Sequence, residues 1–407
     1  MRTPVRLGLE VFLEKHLDLV RSKKVGLITN PTGTDRDLIS SMDIFAQNPD
    51  IDLRALFSPE HGIRGDKQAG EYVPFHRDEK YGIPVFSLYG LTHQLSGEEN
   101  MDGDERMRTF DTVMLGKTPD REMLQKVDVM VFDIQDIGTR VYTYLATMVN
   151  CMEICAENDL GFIVLDRPNP INGIDMEGPI LDYPEFSTFV GLYPIPVRHA
   201  MTVGELALLF NSNFLKKKVE LTVIPMEGWQ RDLWFDDTTL SWIAPSPNIP
   251  TLTTATVYPG QVFLEGTNIS EGRGTAKPFE LLGAPWIDNS ELTQRLVKLS
   301  LPGVRFRETF FTPTFSKYRG ILCSGTQVHV ADRKKYNPFL TVLQIIKAIR
   351  DLHWDKFVFY ENYFDKIVGN SRIREGLESG LCVRELLKEF DSELSEFAER
   401  RKPFLLY

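Results

Sequence analysis

The sequence predicts an α/β protein: a Rossmann-like, doubly wound, mostly parallel sheet followed by a smaller C-terminal α/β domain. Short runs rich in β-branched and aliphatic residues alternate with helical segments through the first half of the chain. These runs are almost continuously apolar, as is typical of parallel strands that helices cover on both faces. The length of 407 residues exceeds what one hydrophobic core usually organises, which favours two domains.

The predicted elements of the first half follow the order of repeated strand–helix units. In the first helix, Leu9, Phe12 and Leu17 recur at the spacing of one helical face. In the last, Thr202 and Glu205 have the spacing of a capping box, which marks the start of a helix. In chain order, we predict a helix at 5–19, a strand at 24–30, a helix at 34–46, strands at 53–57, 83–88 and 127–133, a helix at 142–157, a strand at 162–166, a helix at 202–213 and a strand at 219–225.

The second half mixes strands and helices and predicts a separate, smaller unit. A proline-rich stretch at 244–250 indicates extended chain near the junction. We therefore divide the chain into a Rossmann-like domain at 1–235 and a domain at 236–407 that closes a cleft. The elements predicted in the second domain are strands at 304–309 and 326–330 and helices at 338–351 and 383–400.

Polar side chains collect where the predicted strands of the first domain end. Right-handed crossovers place the C-terminal ends of parallel strands at one edge of the sheet, where ligands bind. A single polar residue there could be a helix cap, but a succession of strands ending this way favours a binding site. The residues concerned are Asn30, Glu60, His61, Asp133, Asp136, Asp166, Arg167 and Asn169.

The composition argues against several classes of partner. The chain has 46 Lys and Arg against 57 Asp and Glu, and its net charge of −11 disfavours binding to nucleic acid or to an anionic membrane. No apolar run is long enough for insertion into a membrane. The first ten residues lack an apolar signal core, so the expected compartment is the cytoplasm or, if a leader was removed, the periplasm or the exterior.

The segment 58–65, SPEHGIRG, carries the strongest candidates for acid–base chemistry. Glu60 and His61 are adjacent, just after a predicted strand, in a loop constrained by Pro and Gly residues. A buried carboxyl group beside an imidazole can be tuned for proton transfer. We predict catalytic roles for Glu60 and His61 and a ligand contact for Arg64, with a helix cap or a surface turn as the structural alternative.

The segment 133–142, DIQDIGTRVY, brings two carboxylates, a guanidinium and a phenol close together in sequence. Asp133 and Asp136 could bind hydroxyl groups of a ligand, orient His61 or hold a metal, and we assign them catalytic roles without a metal. Arg140 and Tyr142 are predicted ligand contacts. An internal ion pair between Asp136 and Arg140 is the structural alternative.

Two further strand ends carry predicted ligand contacts. The turn at 166–170, DRPNP, is stiffened by its prolines and directs Asp166 toward the presumed cleft, with Asn169 beside it. Asn30 ends the first strand in the same way. A structural turn with an aspartate cap is the alternative for Asp166.

The segment 265–275, EGTNISEGRGT, flanks Arg273 with two glycines. It lacks the Gly-Lys-Ser/Thr ending of a phosphate-binding loop, and no GxGxxG fingerprint follows the first strand. We therefore expect no nucleotide or other cofactor. Arg273 is interpreted as a clamp for a carboxylate, which guanidinium binds through two parallel hydrogen bonds, with Glu265 and Asn268 as further ligand contacts.

Together these four segments resemble the exo-β-N-acetylmuramidases, glycoside hydrolase family 171, over nearly the whole chain. The resemblance implies removal of a terminal N-acetylmuramic acid from the non-reducing end of peptidoglycan fragments or muropeptides. It also implies a cleft between a Rossmann-like domain and a smaller C-terminal domain. The proposed catalytic glutamate of the family corresponds to Glu60.

The residues fit the implied activity but leave the mechanism open. Glu60 would be the general acid, with His61 orienting it or relaying a proton. Asp133, Asp136 or Asp166 would activate water, or the acetamido oxygen of the substrate would attack instead.

Binding of muramic acid needs a cation for its lactyl carboxylate and flat surfaces for its sugar faces. The candidate cations are Arg64, Arg140 and Arg273, and the candidate aromatic rings are Tyr142, Tyr144 and Trp242. A non-catalytic receptor for cell-wall sugars and a nucleotide-dependent enzyme are the two alternative functions.

Overall fold

The computed structural model describes residues 4–65, 67, 74–88 and 121–407. Within these residues, the central feature is a seven-stranded sheet in which six strands run parallel. Its strands are β1 (Lys24–Thr29), β2 (Asp52–Ser58), β3 (His76–Arg77), β4 (Pro84–Ser87), β5 (Val129–Asp133), β6 (Gly161–Leu165) and β9 (Glu220–Ile224).

The strand order, β3-β4-β2-β1-β5-β6-β9, confirms the predicted doubly wound fold. The first strands extend the sheet away from β1 on one side, and the later ones extend it on the other. Strand β3 alone is antiparallel, pairing with β4 at the edge. The direction of winding reverses between β1 and β5, and such sheets bind ligands at the carboxyl ends of their strands beside this point.

Helices cover both faces of the sheet because side chains alternate along each strand. Met130 and Phe132 point into one apolar cluster, whereas Val129 and Val131 point into the other. The helices of this half are α1 (Gly8–Lys15), α2 (Ser41–Gln47), α3 (Arg121–Leu124), α4 (Tyr144–Glu157) and α5 (Val203–Asn213). Helices α4 and α5 bury their apolar faces in the first cluster, and α1 and α2 bury theirs in the second.

The predicted helix at 34–46 is too long at its start. Residues 34–40 form a loop, because the Asp35 side chain accepts hydrogen bonds from the backbone N–H groups of Asp37 and Ile39 (3.0 and 2.8 Å). Such local bonds compete with helix formation. The helix begins only after Ser40, whose hydroxyl caps it by accepting from Asp43 N (3.0 Å).

Outside the central sheet, the chain forms a hairpin just before α5 and, in its second half, a small antiparallel sheet and a set of helices. The hairpin is β7 (Glu177–Ile180) with β8 (Pro196–Arg198), and the sheet has the order β10-β12-β11, from β10 (Leu281–Ala284), β11 (Val304–Phe311) and β12 (Cys323–Val330). The helices are α6 (Leu252–Gln261), α7 (Asn289–Lys298), α8 (Pro338–Leu352), α9 (Glu361–Val368), α10 (Arg372–Glu378), α11 (Val383–Lys388) and α12 (Asp391–Arg401).

One helix of this half differs from the prediction, and the predicted domain boundary stays untested. The predicted helix at 383–400 is two helices, since the chain turns at Phe390, whose ring is buried under the Arg372 guanidinium, 4.6 Å from its centroid. One apolar cluster continues from Phe132 in the sheet to Phe397 in α12. The division at 235/236 therefore remains a prediction.

The last residues of the chain return to the parallel sheet. Tyr407 Oη donates to Asp166 Oδ2 (2.7 Å) and accepts from Met226 N (2.7 Å), and its ring packs edge-on against Trp229. Asp166 is fully buried, and burial raises the pKa of its carboxyl group to about 7. The C-terminal residue therefore supports a buried acid at the end of β6.

We expect Tyr407→Phe to destabilise the fold more at pH 8 than at pH 5. The native carboxyl of Asp166 holds its proton up to about pH 7, whereas an unfolded aspartate ionises near pH 4. Stability from this group thus falls as the pH rises through that window. Because the phenol stabilises the ionised form, its loss should cost about 2 kcal/mol at pH 8 and clearly less at pH 5. Urea unfolding at both pH values tests this, and an equal cost at both would contradict it.

Candidate functional site

An open pocket lies at the carboxyl edge of the parallel sheet, with about 520 Å³ of empty space when the solvent at its mouth is included. We call it the Glu60 pocket. Its lining residues are Glu60, His61, Val141, Tyr142, Thr143, Val190, Ser246, Asn248, Ile249, Tyr258, Glu265, Arg273, Phe279 and Tyr363. One wall comes from the loops after β2 and β5, and the facing wall comes from the second half of the chain.

The loop after β2 presents Glu60 and His61 through a tight turn. Gly62 N donates to Pro59 O (3.1 Å), which closes the turn. His61 adopts a φ of +72°, a left-handed conformation that normally favours glycine or asparagine at such a turn position. Its Nδ1 lies 2.9 Å from Lys67 O, so this nitrogen carries the proton and Nε2 is left for other contacts. A strained residue held by its surroundings is typical of functional loops.

Glu60 lies in the loop after β2 and is buried against the N-terminal end of α4. Only 6% of the residue is exposed. Thr143 Oγ1 donates to Glu60 Oε2 at 2.6 Å, and Thr143 immediately precedes α4. The N-terminal end of a helix carries a partial positive charge, which favours a carboxylate at this place. The Thr143 hydroxyl therefore fixes the orientation of the Glu60 carboxyl group inside the pocket.

The facing wall carries a second carboxylate, held by a cation and a phenol. Arg273 donates to Glu265 Oε1 from Nη2 (2.6 Å) and Nε (3.1 Å), and Tyr363 Oη donates to Glu265 Oε2 (2.8 Å). Arg273 Nε also lies 3.4 Å from Glu271. Burial alone would lower the pKa of Arg273, but these two glutamates raise it overall.

The glycines beside Arg273 serve backbone geometry. Gly272 and Gly274 both have a φ of +77°, in the left-handed region. A Cβ atom at either position would also lie 2.6 Å from a backbone atom, of Leu281 or Phe315. Only glycine fits both constraints, so the sequence Gly-Arg-Gly fixes the place from which the guanidinium reaches the pocket.

Aromatic rings form much of the remaining surface. Tyr258 contacts Tyr142 and Phe279 edge-on, with ring centroids 5.9 and 4.8 Å away. Burial, then the negative charge of Glu265 and also that of Glu60, raise the pKa of Tyr258, so this phenol feels both carboxylates. Asn248 Nδ2 is buried without a hydrogen-bond partner in the described structure. It is a polar group available to a ligand.

Five of the predicted site residues line this pocket: Glu60, His61, Tyr142, Glu265 and Arg273. Sequence reasoning missed Thr143, Ser246, Asn248, Tyr258 and Tyr363. Ser246 and Asn248 lie in the proline-rich stretch at 244–250, a signal that was read only as a domain junction. The two tyrosines come from helices without a local motif.

Contrary to the prediction, Asp133 and Asp136 do not line the pocket. Asp133 is fully buried and accepts two hydrogen bonds from Arg167, at 2.6 and 2.9 Å. Asp136 Oδ2 accepts from Gly138 N (2.7 Å) and lies 3.3 Å from Nε2 of the buried His199. Both carboxylates stabilise the loops at the sheet edge.

Asp166 and Asn169 are likewise outside the pocket lining. Asp166 accepts from Thr202 Oγ1 (2.7 Å) and Gly204 N (2.8 Å) at the start of α5, in addition to Tyr407. Asn169 closes its own turn, accepting from Ile171 N at 3.1 Å and donating to a backbone carbonyl. These contacts match the alternative given for this segment, a structural turn with an aspartate cap.

Asn30 and Asn268 also make local contacts instead of lining the pocket. Asn30 Oδ1 accepts from the backbone N–H of Thr32 at 2.9 Å. Asn268 donates to Lys356 O (2.8 Å) and accepts from Val358 N (3.0 Å), which joins two loops of the second half. Each side chain is explained by the loop it stabilises.

The other two candidate arginines have partners elsewhere. Arg64 is largely exposed and pairs with Asp78 at 2.6 Å. Arg140 is buried, and its Nη1 and Nη2 donate to four backbone carbonyls, including Pro179 O in the hairpin and Val368 O at the end of α9. The alternative ion pair of Arg140 with Asp136 is therefore not formed.

Of the candidate aromatic rings, Tyr142 alone lines the pocket. Tyr144 Oη donates to Pro245 O at 2.5 Å, and its ring is fully buried. Trp242 packs edge-on against Phe235, with centroids 5.0 Å apart. The Tyr144 bond holds the chain next to Ser246, which does line the pocket.

The described residues contain no group of three or more His, Cys, Asp or Glu side chains placed to hold a metal ion. Likewise, none of the helices in the described ranges has the length and apolar character needed to cross a membrane.

Comparisons with known proteins agree along the whole chain. Residues 25–253 match the family model "Exo-beta-N-acetylmuramidase NamZ, N-terminal", and residues 256–407 match its C-terminal counterpart. The peptidoglycan β-N-acetylmuramidase NamZ of Bacillus subtilis (strain 168) is 48% identical over 404 residues, which cover 99% of this chain and 91% of that protein.

Two solved structures of DUF1343 family proteins from Bacteroides fragilis NCTC 9343 have the same fold. One superposes with a TM-score of 0.87 at 34% identity and covers 100% of both chains. The other has a TM-score of 0.77 at 29% identity and covers 100% of this chain and 99% of that one.

Proposed function

The chain belongs to the exo-β-N-acetylmuramidase NamZ family of glycoside hydrolases, and from this premise we propose that it releases terminal N-acetylmuramic acid from the non-reducing end of peptidoglycan fragments. Glu60 is the general acid. The observation that supports this best is the Glu60 pocket itself, which is lined by a buried carboxyl group and by the Arg273 guanidinium.

The geometry supports Glu60 as the proton donor to the leaving oxygen. Glu60 is buried in the pocket, and Thr143 Oγ1 holds one of its oxygens, so the other oxygen can face the glycosidic bond of a bound sugar. In the step we propose, the Glu60 proton goes to the glycosidic oxygen and the bond from that oxygen to the anomeric carbon breaks. Water then adds to the anomeric carbon, and its proton returns to Glu60. His61 is a positioning residue beside this acid.

Arg273 is the group that recognises muramic acid in this proposal. N-acetylmuramic acid differs from N-acetylglucosamine by its lactyl group, which adds one carboxylate. Glu265 occupies the Nε and Nη2 side of the guanidinium, whereas Nη1 has no hydrogen-bond partner within the described part of the chain. The Nη1 end can therefore bind the lactyl carboxylate.

The direct test is incubation with the disaccharide of N-acetylmuramic acid β-linked to N-acetylglucosamine. We expect both free monosaccharides, detected by mass spectrometry. From longer fragments with muramic acid at the non-reducing end, one muramic acid should be released before any shorter internal fragment appears. Binding of the disaccharide without release would favour a sugar receptor, and internal cleavage would contradict the exo assignment.

We expect Arg273→Lys to weaken binding of muramic-acid substrates. Lysine keeps the charge but lacks the planar fork, and the loss of a charge-assisted hydrogen bond corresponds to roughly 10- to 100-fold in KM. Arg64→Lys is the matched control, because Arg64 is exposed and lies outside the pocket lining. Equal KM values for both variants, measured on the disaccharide, would contradict the role of Arg273.

A further inference from the structure

Glu60 accounts for the acid of the proposed reaction, but the second charged group that glycosidases use is still unassigned. Cleavage of a glycosidic bond develops positive charge on the anomeric carbon and ring oxygen, and glycosidases usually meet it with a second carboxylate. The three aspartates considered from the sequence do not line the pocket and have structural partners. A second catalytic carboxylate must therefore be one that lines the pocket together with Glu60.

Of the described residues, Glu60 and Glu265 are the two carboxylates that line the pocket. Glu265 comes from a short helical turn that follows α6, whereas Glu60 comes from the loop after β2. The negative charges of both raise the pKa of Tyr258, which lines the same pocket. The two carboxylates therefore reach one cavity from separate segments of the chain.

The contacts of Glu265 indicate its role. Glu265 accepts hydrogen bonds from the Arg273 guanidinium and the Tyr363 phenol, and such donors stabilise a negative charge. Glu60 lines the same pocket and accepts a hydrogen bond from Thr143 Oγ1. In glycosidases with two carboxylates, the one held as an anion stabilises the cationic sugar and the other acts as the acid.

We propose that Glu265 is the second catalytic carboxylate, a permanent anion that stabilises the positive charge of the transition state. This rests on the proposed function. As Glu60 gives its proton to the departing oxygen, the electron pair of the breaking bond stays with that oxygen. Glu265 stabilises the cationic sugar until water adds, and the proton of that water returns to Glu60. Glu265 itself gains and loses no proton.

The test compares Glu265→Gln with Glu60→Gln on two substrates, the disaccharide and the 4-nitrophenyl β-glycoside of N-acetylmuramic acid. Nitrophenolate leaves without help from an acid, so Glu60→Gln should lose far less on it than on the disaccharide. Glu265→Gln should lose at least 100-fold in kcat on both, because the charge it stabilises forms with either leaving group. Glu265→Asp keeps the charge and should retain at least tenfold more activity than Glu265→Gln.

The alternative role of Glu265 is only to hold Arg273 in place, and the same data decide between the two roles. In that case Glu265→Gln would raise KM and leave kcat nearly unchanged at saturating substrate, which would overturn the proposal. Tyr363→Phe removes one hydrogen bond from Glu265 without its charge and should cost only a few-fold in kcat. Thermal unfolding of each variant shows that it is folded. The wild-type assay separates the two hypotheses, since an inactive wild type would contradict the proposed function and not the role of Glu265.

Discussion

Glu60→Gln is expected to lower kcat on the muramic acid–glucosamine disaccharide by about a thousandfold, the middle of the range for general acid catalysis. The amide has the shape of the carboxyl group but no proton to give. Its oxygen can still accept the hydrogen bond from Thr143 Oγ1, which is 2.6 Å from Glu60 Oε2 in the wild type. KM should change little, because the loss concerns the transition state and not the bound substrate.

A surface variant controls for the chemical change itself. Glu79→Gln makes the same substitution at an exposed position, and it should keep wild-type kcat and KM. Steady-state release of free N-acetylmuramic acid measures all three proteins. Comparable kcat values for Glu60→Gln and the wild type on the disaccharide would remove Glu60 from the mechanism.

Arg140→Met should give the largest loss of stability among the variants proposed. The buried guanidinium binds four carbonyls from the hairpin and the end of α9, and methionine has no donor to replace them. Although burial lowers the pKa of Arg140 to about 9, it remains a cation at neutral pH. Leaving several buried carbonyls without donors should cost on the order of 3–5 kcal/mol in the free energy of unfolding.

An exposed arginine provides the comparison for this variant. Arg54 pairs with Asp52 at the surface, where both side chains are about half exposed, and Arg54→Met should cost under about 0.5 kcal/mol. Urea unfolding at pH 7 measures both. If Arg140 contacted substrate instead, its variant would raise KM while keeping the stability of Arg54→Met.

Local patterns in the sequence were sufficient for the sheet and for one wall of the site. Continuous apolar runs identified the parallel strands, and the pairing of Thr202 with Glu205 marked the start of α5, where both capping bonds form. The Glu60–His61 turn was found because it follows a strand that ends at the ligand-binding edge. These signals depend on residues close together in the chain.

The remaining parts depend on contacts that no local pattern reports. A polar residue at a strand end suits a ligand site and an ion pair equally, and only the fold shows that Arg167 neutralises Asp133. Asp166 accepts a hydrogen bond from Tyr407, which lies 241 residues further along the chain. The helix that carries Tyr258 was not predicted, because Pro259 lies within it and proline usually ends a helix. The C-terminal wall of the pocket was therefore predicted only through the unusual Gly-Arg-Gly sequence.

A crystal structure of Glu60→Gln with the intact disaccharide tests the central claim most directly. We expect muramic acid in the Glu60 pocket, the glycosidic oxygen about 3 Å from the residue 60 side chain as proton transfer requires, and the lactyl carboxylate on Arg273 Nη1. A disaccharide bound with glucosamine in the pocket, or with its glycosidic oxygen far from residue 60, would contradict the account.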